Sequence, residues 1–253
     1  MNLESFYVTV GFLLAAYSVI ANDSVQTLGT WIASNSKKIK WYYMWGAASS
    51  VLLFTIWYGW HVNAGDISYG RLEKIPYQTV QWYHALAPLI LVILTRFGIP
   101  VSTTFLVLSA FASTLILEKV LIKSALGYAV AATAAYLIWL VVSKFWETHD
   151  KVTSNKETLW RCAQWVTTGW LWFTWLSHDM ANIAVFLPRV IPVETMFLIS
   201  AVFVCGLGYM FFEKGGKIQK IILSKANINY VRSATIVDLV YSLILWYFKG
   251  YSS

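Results

Sequence analysis

The sequence predicts an all-α polytopic membrane protein, and its composition and the spacing of its apolar runs carry that prediction. Hydrophobic residues make up 58% of the chain and charged residues only 12%, whereas a soluble domain carries about a quarter charged residues. The apolar runs are near the ~20 residues that a helix needs to cross a bilayer, without the alternation of a β-barrel strand. Backbone groups in lipid must be paired within the chain, so helices are expected.

The apolar segments are expected to form one transmembrane domain over residues 1–253. The third and fourth are short and are joined by Gly98-Ile99-Pro100. Because proline lacks an amide hydrogen and disfavours helix at the residue before it, residues 80–117 are expected to form a re-entrant hairpin. The N-terminal segment lacks a basic region and a cleavage pattern, so it is expected to remain as a helix. The predicted segments are 5–34, 41–62, 80–97, 101–117, 124–143, 159–190, 193–212 and 231–248.

The hairpin fixes the side of the membrane on which each loop lies. With the N-terminus outside, the lysine-rich loops around 37–40, 144–161 and 214–225 lie inside and carry most of the basic residues, as the positive-inside rule requires. This arrangement predicts an integral protein of a bacterial-type inner (plasma) membrane. The net charge of +7 then reflects membrane orientation and not a nucleic-acid partner.

An odd number of crossings separates the first segment from 159–190, which predicts that the second half starts from the opposite face as an inverted repeat. Weak symmetry agrees, because VIANDSVQTLGTW is echoed by WLSHDMANIAVFLPR and the segment at Tyr77 by the segment at Tyr230. Such repeats with broken helices indicate a secondary transporter with a midplane site. The expected units are a first repeat over 5–123, an intervening helix over 124–143 and a second repeat over 159–253 that is incomplete at its end.

Asn22, Asp23 and Ser24 interrupt the first apolar segment. An Asp at the centre of a span costs at least ~2.5–3.5 kcal/mol, so Asp23 is expected to face a cavity, a cation or a hydrogen-bonding partner. Short oxygen-bearing side chains at a helix break suit a hard cation such as sodium, and Asp23 or Ser24 can cap the half helix that follows. The plain alternative is a polar kink without a ligand.

Ser102, Thr103 and Thr104 follow Pro100 at the tip of the hairpin. Their hydroxyls and the free amides of a helix N-terminus form a ready anion site; the alternative is a Ser/Thr cap in a buried loop. Carboxylates for a cation and a helix N-terminus for an anion together predict co-transport of an oxyanion with a cation.

Three motifs, ANDSVQT, GIPVSTT and SHDMANI, resemble those of the inorganic phosphate transporter family, whose halves carry Gly-Ala-Asn-Asp-Val-Ala-Asn and Pro-Val-Ser-Thr-Thr-His elements. In that family these elements surround phosphate and sodium near the membrane middle. The resemblance implies ion-coupled transport of phosphate or a related oxyanion by alternating access, without a cofactor. It assigns substrate binding to Ser102, Thr103, Thr104, Asp179 and Asn182, and coupling-ion binding to Asn22, Asp23, Ser24 and His178, with sodium at Asp23 and Asp179.

The chain departs from the family pattern where Ile20 stands for Gly, Gln26 for Asn, Phe105 for His and His178 for Asn. These departures leave open whether the substrate is phosphate or sulfate and whether the coupling ion is sodium or the proton. His178 beside Asp179 can make coupling proton-linked, since histidine titrates near neutrality, or it can hydrogen-bond the backbone as a neutral ring.

Other functions are weaker alternatives. The same scaffold could serve as a non-transporting membrane sensor or partner subunit, and homo-oligomer formation is left open. His61 and His84 could ligate haem, but they are expected near span ends without a match in depth. Arg96 precedes the hairpin tip and could meet an anion, but it is expected to snorkel from a helix end. Asp238 is a candidate cavity residue without an assigned role. No Gly-rich phosphate loop supports an ATP-driven pump or an enzyme.

Overall fold

The computed structural model describes residues 2–73, 75–99, 101–112, 114–146, 154–216, 219–220 and 231–251, and within these ranges all regular secondary structure is helical. Two of the described helices are long and apolar enough to cross a membrane, Leu3–Asn35 and Val193–Phe212. The polytopic arrangement and the inverted repeat stay predictions. Pro100 of the predicted hairpin tip, Tyr230 of the predicted repeat and residues 252–253, where the second repeat was predicted to be incomplete, lie outside the described residues.

The described helices follow one another along the chain, and residues 63–81 separate the third from the fourth. A π-helical turn, Val19–Asp23, joins the first two. The helices are α1 (Leu3–Ser18), α2 (Ser24–Asn35), α3 (Trp41–Val62), α4 (Trp82–Arg96), α5 (Thr103–Ser109), α6 (Thr114–Trp146), α7 (Ser154–Asp179), α8 (Ala181–Ala184), α9 (Val193–Phe212) and α10 (Val231–Tyr251).

The predicted break at Asn22-Asp23-Ser24 is a π-helical turn, so the backbone stays helical from α1 into α2. The predicted capping role is therefore wrong: Asp23 has helical dihedral angles and makes no capping bond. The Ser24 hydroxyl donates to the Val19 carbonyl at 3.1 Å, and the Ser24 amide bonds the same carbonyl. The turn holds one extra residue and keeps its carbonyls paired in an apolar core; such π-bulges occur frequently at functional sites.

The segment predicted as one span over 159–190 is not one helix. Helix α7 ends at Asp179, Met180 forms a turn, and the short α8 leads into irregular chain up to Pro192. The Met180 amide still bonds the Leu176 carbonyl at 2.9 Å. The second motif therefore lies where α7 ends, so its polar side chains stand at the end of a helix.

The hairpin region has a shorter second arm than the sequence predicted. Helix α4 ends in a turn in which Gly98 has a φ of +76°, a conformation that favours glycine, and α5 packs against α4. The arm predicted over 101–117 ends at Ser109. The predicted loop between 117 and 124 does not exist, because α6 runs through it without a break; Glu118 and Lys119 are exposed on its surface, so their charges did not mark a loop.

Helix packing brings the two motif regions together. Helix α1 packs on α4, α3 on α9, and α7 on α10 and α2, while the π-helical turn contacts α9. Close approach depends on glycine at two points: a Cβ at Gly11 would lie 2.3 Å from the Phe186 ring, and a Cβ at Gly206 would lie 2.3 Å from Ile20 Cδ1. The core around Asp23 and Asp179 is therefore closely packed.

Candidate functional site

The two motifs meet at a pair of buried carboxylates. Asp23 comes from the π-helical turn and Asp179 from the end of α7, and each is only 3% exposed. Their carboxyl groups interact electrostatically. A buried carboxylate without a compensating charge is costly, and two that face each other are more so. The pair therefore needs a cation or a proton.

The first motif is bound to the hairpin tip by a hydrogen-bond network. The Thr103 hydroxyl donates to Asp23 Oδ1 at 2.9 Å. Asn22 Nδ2 donates to the Val101 carbonyl at 2.8 Å and to Asp23 Oδ1 at 2.7 Å. Gln26, which departs from the family motif, donates to Asn22 Oδ1 at 2.8 Å. Gln26 thereby fixes the amide orientation that lets Asn22 hold the tip.

The second motif contacts the adjacent residue of the tip. Asn182 Nδ2 donates to the Thr104 hydroxyl at 3.1 Å and lies 3.5 Å from Asp179 Oδ1. His178 Nδ1 lies 3.4 Å from Asp179 Oδ1, with its side chain 36% exposed. Thr103 and Thr104 thus reach toward opposite motifs, and the tip forms a bridge between them.

Three buried oxygen atoms at this junction accept no hydrogen bond from any described residue: Asp23 Oδ2, Asp179 Oδ2 and Asn182 Oδ1. Buried polar atoms in native proteins are nearly always paired, so these oxygens mark a place that another group completes. Carboxylate and amide oxygens are ligands for hard cations. The arrangement can hold a monovalent cation, or share a proton between the carboxyl groups.

Two predicted residues lie beside this junction without joining its network. The Ser24 hydroxyl is committed to the Val19 carbonyl, so it is not directed at Asp23. The Ser102 hydroxyl caps α5 by accepting the Phe105 amide at 3.3 Å. The Phe105 amide is therefore already hydrogen-bonded. An anion at the tip would meet hydroxyl groups more than free backbone amides.

Arg71, in the loop between α3 and α4, belongs to none of the three motifs but interacts electrostatically with Asp179. Burial lowers the pKa of the Arg71 guanidinium from its usual value, and its attraction to Asp179 opposes that shift. Ile67 and Leu72 beside it are buried. Those apolar residues were the signal in the sequence, since they indicate a loop that packs on the protein and does not extend into solvent.

Asp238 forms a separate, buried polar contact. It is 1% exposed and accepts hydrogen bonds from Thr30 at 3.1 Å and from Thr168 at 2.5 Å. Thr30 follows Asp23 by two helical turns, or roughly 10 Å along α2. Asp238 therefore joins α2, α7 and α10 at some distance from the carboxylate pair.

The remaining candidates lie elsewhere. The Arg96 side chain is exposed and covers the Tyr17 ring at 5.7 Å, consistent with a snorkelling residue. His84 Nδ1 accepts the Gln81 amide at 2.8 Å at the start of α4, whereas His61 is exposed. Because the two histidines differ in burial and His84 is engaged in a helix cap, the geometry does not favour a shared haem.

No known protein family, curated protein or solved structure matches the chain. The resemblance to phosphate transporters therefore rests on the three motifs alone.

Proposed function

We propose that this protein transports phosphate, or a related tetrahedral oxyanion such as sulfate, together with sodium ions or protons across a membrane by alternating access. The observation that carries the proposal is the set of three unpartnered buried oxygens where both motifs meet the hairpin tip. A buried acidic site in an apolar bundle costs free energy, and it is retained where a ligand uses it.

The cation is proposed to bind between the carboxylates. Asp23, Asp179 and Asn182 supply oxygens from both motifs, a hard ligand set that suits sodium. A proton is the alternative, with His178 beside Asp179 as the group that would exchange it. Asn22 contributes by orienting Asp23 through its 2.7 Å hydrogen bond, and Ser24 by pairing the Val19 carbonyl that the π-helical turn displaces.

The oxyanion is proposed to bind at the tip, through the hydroxyls of Ser102 and Thr104 and the amide of Asn182, joined by the Thr103 hydroxyl once a bound cation releases it from Asp23. Two uncompensated carboxylates beside this position would repel an anion, whereas one or two bound cations cancel that repulsion. Cation binding therefore precedes or accompanies anion binding, and this order couples the two fluxes without any enzyme activity.

The membrane placement is proposed from the apolar helix Leu3–Asn35, because Asp23 lies within its length and not at an end. The lysine-rich loops place the N-terminus outside a bacterial-type inner membrane. Thr103 of the tip bonds to Asp23 of the first motif and Thr104 to Asn182 of the second. Breaking one of these two contacts while keeping the other would open the site to one side of the membrane. The repeat relation between the motifs provides the symmetry that alternating access uses.

A linkage measurement on purified protein in detergent tests the proposal. Phosphate affinity is measured with radiolabelled phosphate in sodium chloride and in choline chloride, and sodium affinity with and without phosphate. We expect each ligand to tighten the other by the same factor, and Asp179→Asn to abolish the effect while Glu194→Gln, at an exposed acid, preserves it. Absence of phosphate and sulfate binding in every cation, with folded protein, would contradict the proposal.

A further inference from the structure

The loop between α3 and α4 has a fixed backbone conformation. Asp66 accepts hydrogen bonds from the Ser68 amide at 2.7 Å and the Ser68 hydroxyl at 2.6 Å. Tyr69 and Gly70 both adopt positive φ, at 56° and 75°, and the Tyr69 hydroxyl donates to the Thr55 carbonyl at 2.6 Å. Positive φ at a tyrosine persists only where surrounding contacts hold it. The loop is therefore a built element that sets the position of the next residue, Arg71.

The same loop is packed into the protein. Ile67 is 0% exposed and Leu72 is 2% exposed, so apolar side chains on either side of Arg71 are anchored in the core. The Ile191 amide donates to the Gly65 carbonyl at 3.0 Å, which joins the loop to the chain that follows α8. Arg71 is therefore held on the same side of the bundle as the second motif.

The Arg71 guanidinium is attracted to Asp179 without forming an ion pair with it. Among the described residues no contact within ion-pair distance joins the two side chains. Arg71 Nε is buried and has no hydrogen-bond partner in the described part of the chain, and the same holds for Asp179 Oδ2. A group that accepts from Arg71 beside a cation on Asp179 would satisfy both atoms.

We propose that Arg71 is the residue that binds the oxyanion by charge, donating to two oxygens of phosphate or sulfate beside the cation-loaded carboxylates. This inference rests on the proposed function and adds a binding residue outside the three motifs. The planar guanidinium fork matches two oxygens of a tetrahedral oxyanion. Arg71 is partly buried, and a guanidinium is more weakly hydrated than an ammonium, so less hydration is lost when the anion arrives.

The alternative role for Arg71 is a counter-charge for Asp23 and Asp179, and the two roles predict different results. A counter-charge competes with the cation, so its removal would raise sodium affinity and leave phosphate affinity at saturating sodium unchanged. An anion ligand acts in the opposite way, because its removal weakens phosphate binding even when the carboxylates are fully occupied by sodium.

The experiment measures the binding of labelled inorganic phosphate, with sulfate as competitor, to full-length protein at saturating sodium. Arg71→Gln is expected to weaken phosphate about tenfold to hundredfold, the loss of a charge-assisted hydrogen-bonding group. Arg71→Lys keeps the charge but loses the fork, and it is expected to fall between wild type and Arg71→Gln. Arg96→Gln removes an exposed guanidinium away from the site and is expected to bind like wild type.

Each result decides between the roles. Phosphate affinity in Arg71→Gln equal to that of wild type would overturn the assignment of Arg71 and leave the proposed function standing. Wild-type protein that responds to sodium but binds neither phosphate nor sulfate would overturn both. If Arg71→Gln does not fold, phosphate affinity is measured in Arg71→Lys instead. An affinity equal to that of wild type would then refute recognition of the anion by the guanidinium fork.

Discussion

Replacing Asp23 with asparagine separates the cation-binding role of the carboxylate pair from its structural role. Asparagine has the shape of aspartate, and its side-chain oxygen can still accept the Thr103 hydroxyl that lies 2.9 Å from Asp23 Oδ1. Its amide can in addition donate to Asp179. The substitution therefore removes one charge from the pair while preserving the packing of the π-helical turn.

The size of the effect follows from the charge that the substitution removes. Two unit charges about 4 Å apart interact by roughly 4 kcal/mol at an effective dielectric constant of about 20. Asp23→Asn removes the repulsion between Asp23 and Asp179 and is therefore expected to be at least as stable as wild type without sodium. Sodium at about 100 times its dissociation constant stabilises wild type by about 2.7 kcal/mol. For a chain of this length that corresponds to a rise in melting temperature of roughly 5–10 °C, which Asp23→Asn should lose.

The assay is thermal unfolding in detergent, in sodium chloride and in choline chloride at equal ionic strength. The chain has 14 tryptophans, so intrinsic fluorescence reports unfolding without a dye. Glu194→Gln, which neutralises an exposed acid, is the matched control and should keep the full sodium response. An equal sodium-dependent rise in wild type and Asp23→Asn would refute the reasoning that the carboxylate pair holds the cation.

Two further predictions concern packing and pH. Gly11→Ala places a methyl group 2.3 Å from the Phe186 ring and is expected to lower stability by about 1–3 kcal/mol, whereas Gly46→Ala meets no atom within 4 Å and should be neutral or stabilising in the same melting assay. Hydrogen bonds from Lys38 and Arg161 lower the pKa of Glu157 from its ordinary value of 4.5. This contact stabilises the fold above about pH 4.5, and the stabilisation is lost as the pH falls through the lowered pKa. The acid-induced drop in melting temperature should therefore be smaller in Glu157→Gln than in wild type.

The resemblance of the three motifs to those of phosphate transporters predicted that Asp23, Asp179 and the hairpin tip lie together. The structure brings Thr103 to Asp23 and Thr104 toward Asn182. That convergence follows from the cost of burying unpaired polar groups.

Other features depend on tertiary contacts that no local pattern reveals. Polar residues within an apolar helix are compatible with a break or with a π-helical turn. In this fold the turn is π-helical, and it packs against α9. Exposed charges within α6 looked like a loop because helix propensity alone does not distinguish a solvated face from a connection. The position of Arg71 depends on how the whole α3–α4 loop packs, which its basic side chain does not indicate.

The central claim, that an ion gradient drives an oxyanion through this site, is tested most directly by uptake of radiolabelled phosphate into proteoliposomes. Inward sodium and proton gradients are imposed separately, with sulfate as a second substrate and Asp23→Asn as the inactive variant. One of the two gradients is expected to drive accumulation in wild type, and Asp23→Asn is expected to abolish it. Folded wild-type protein that accumulates neither anion under either gradient would contradict the claim and favour a sensor or a partner subunit.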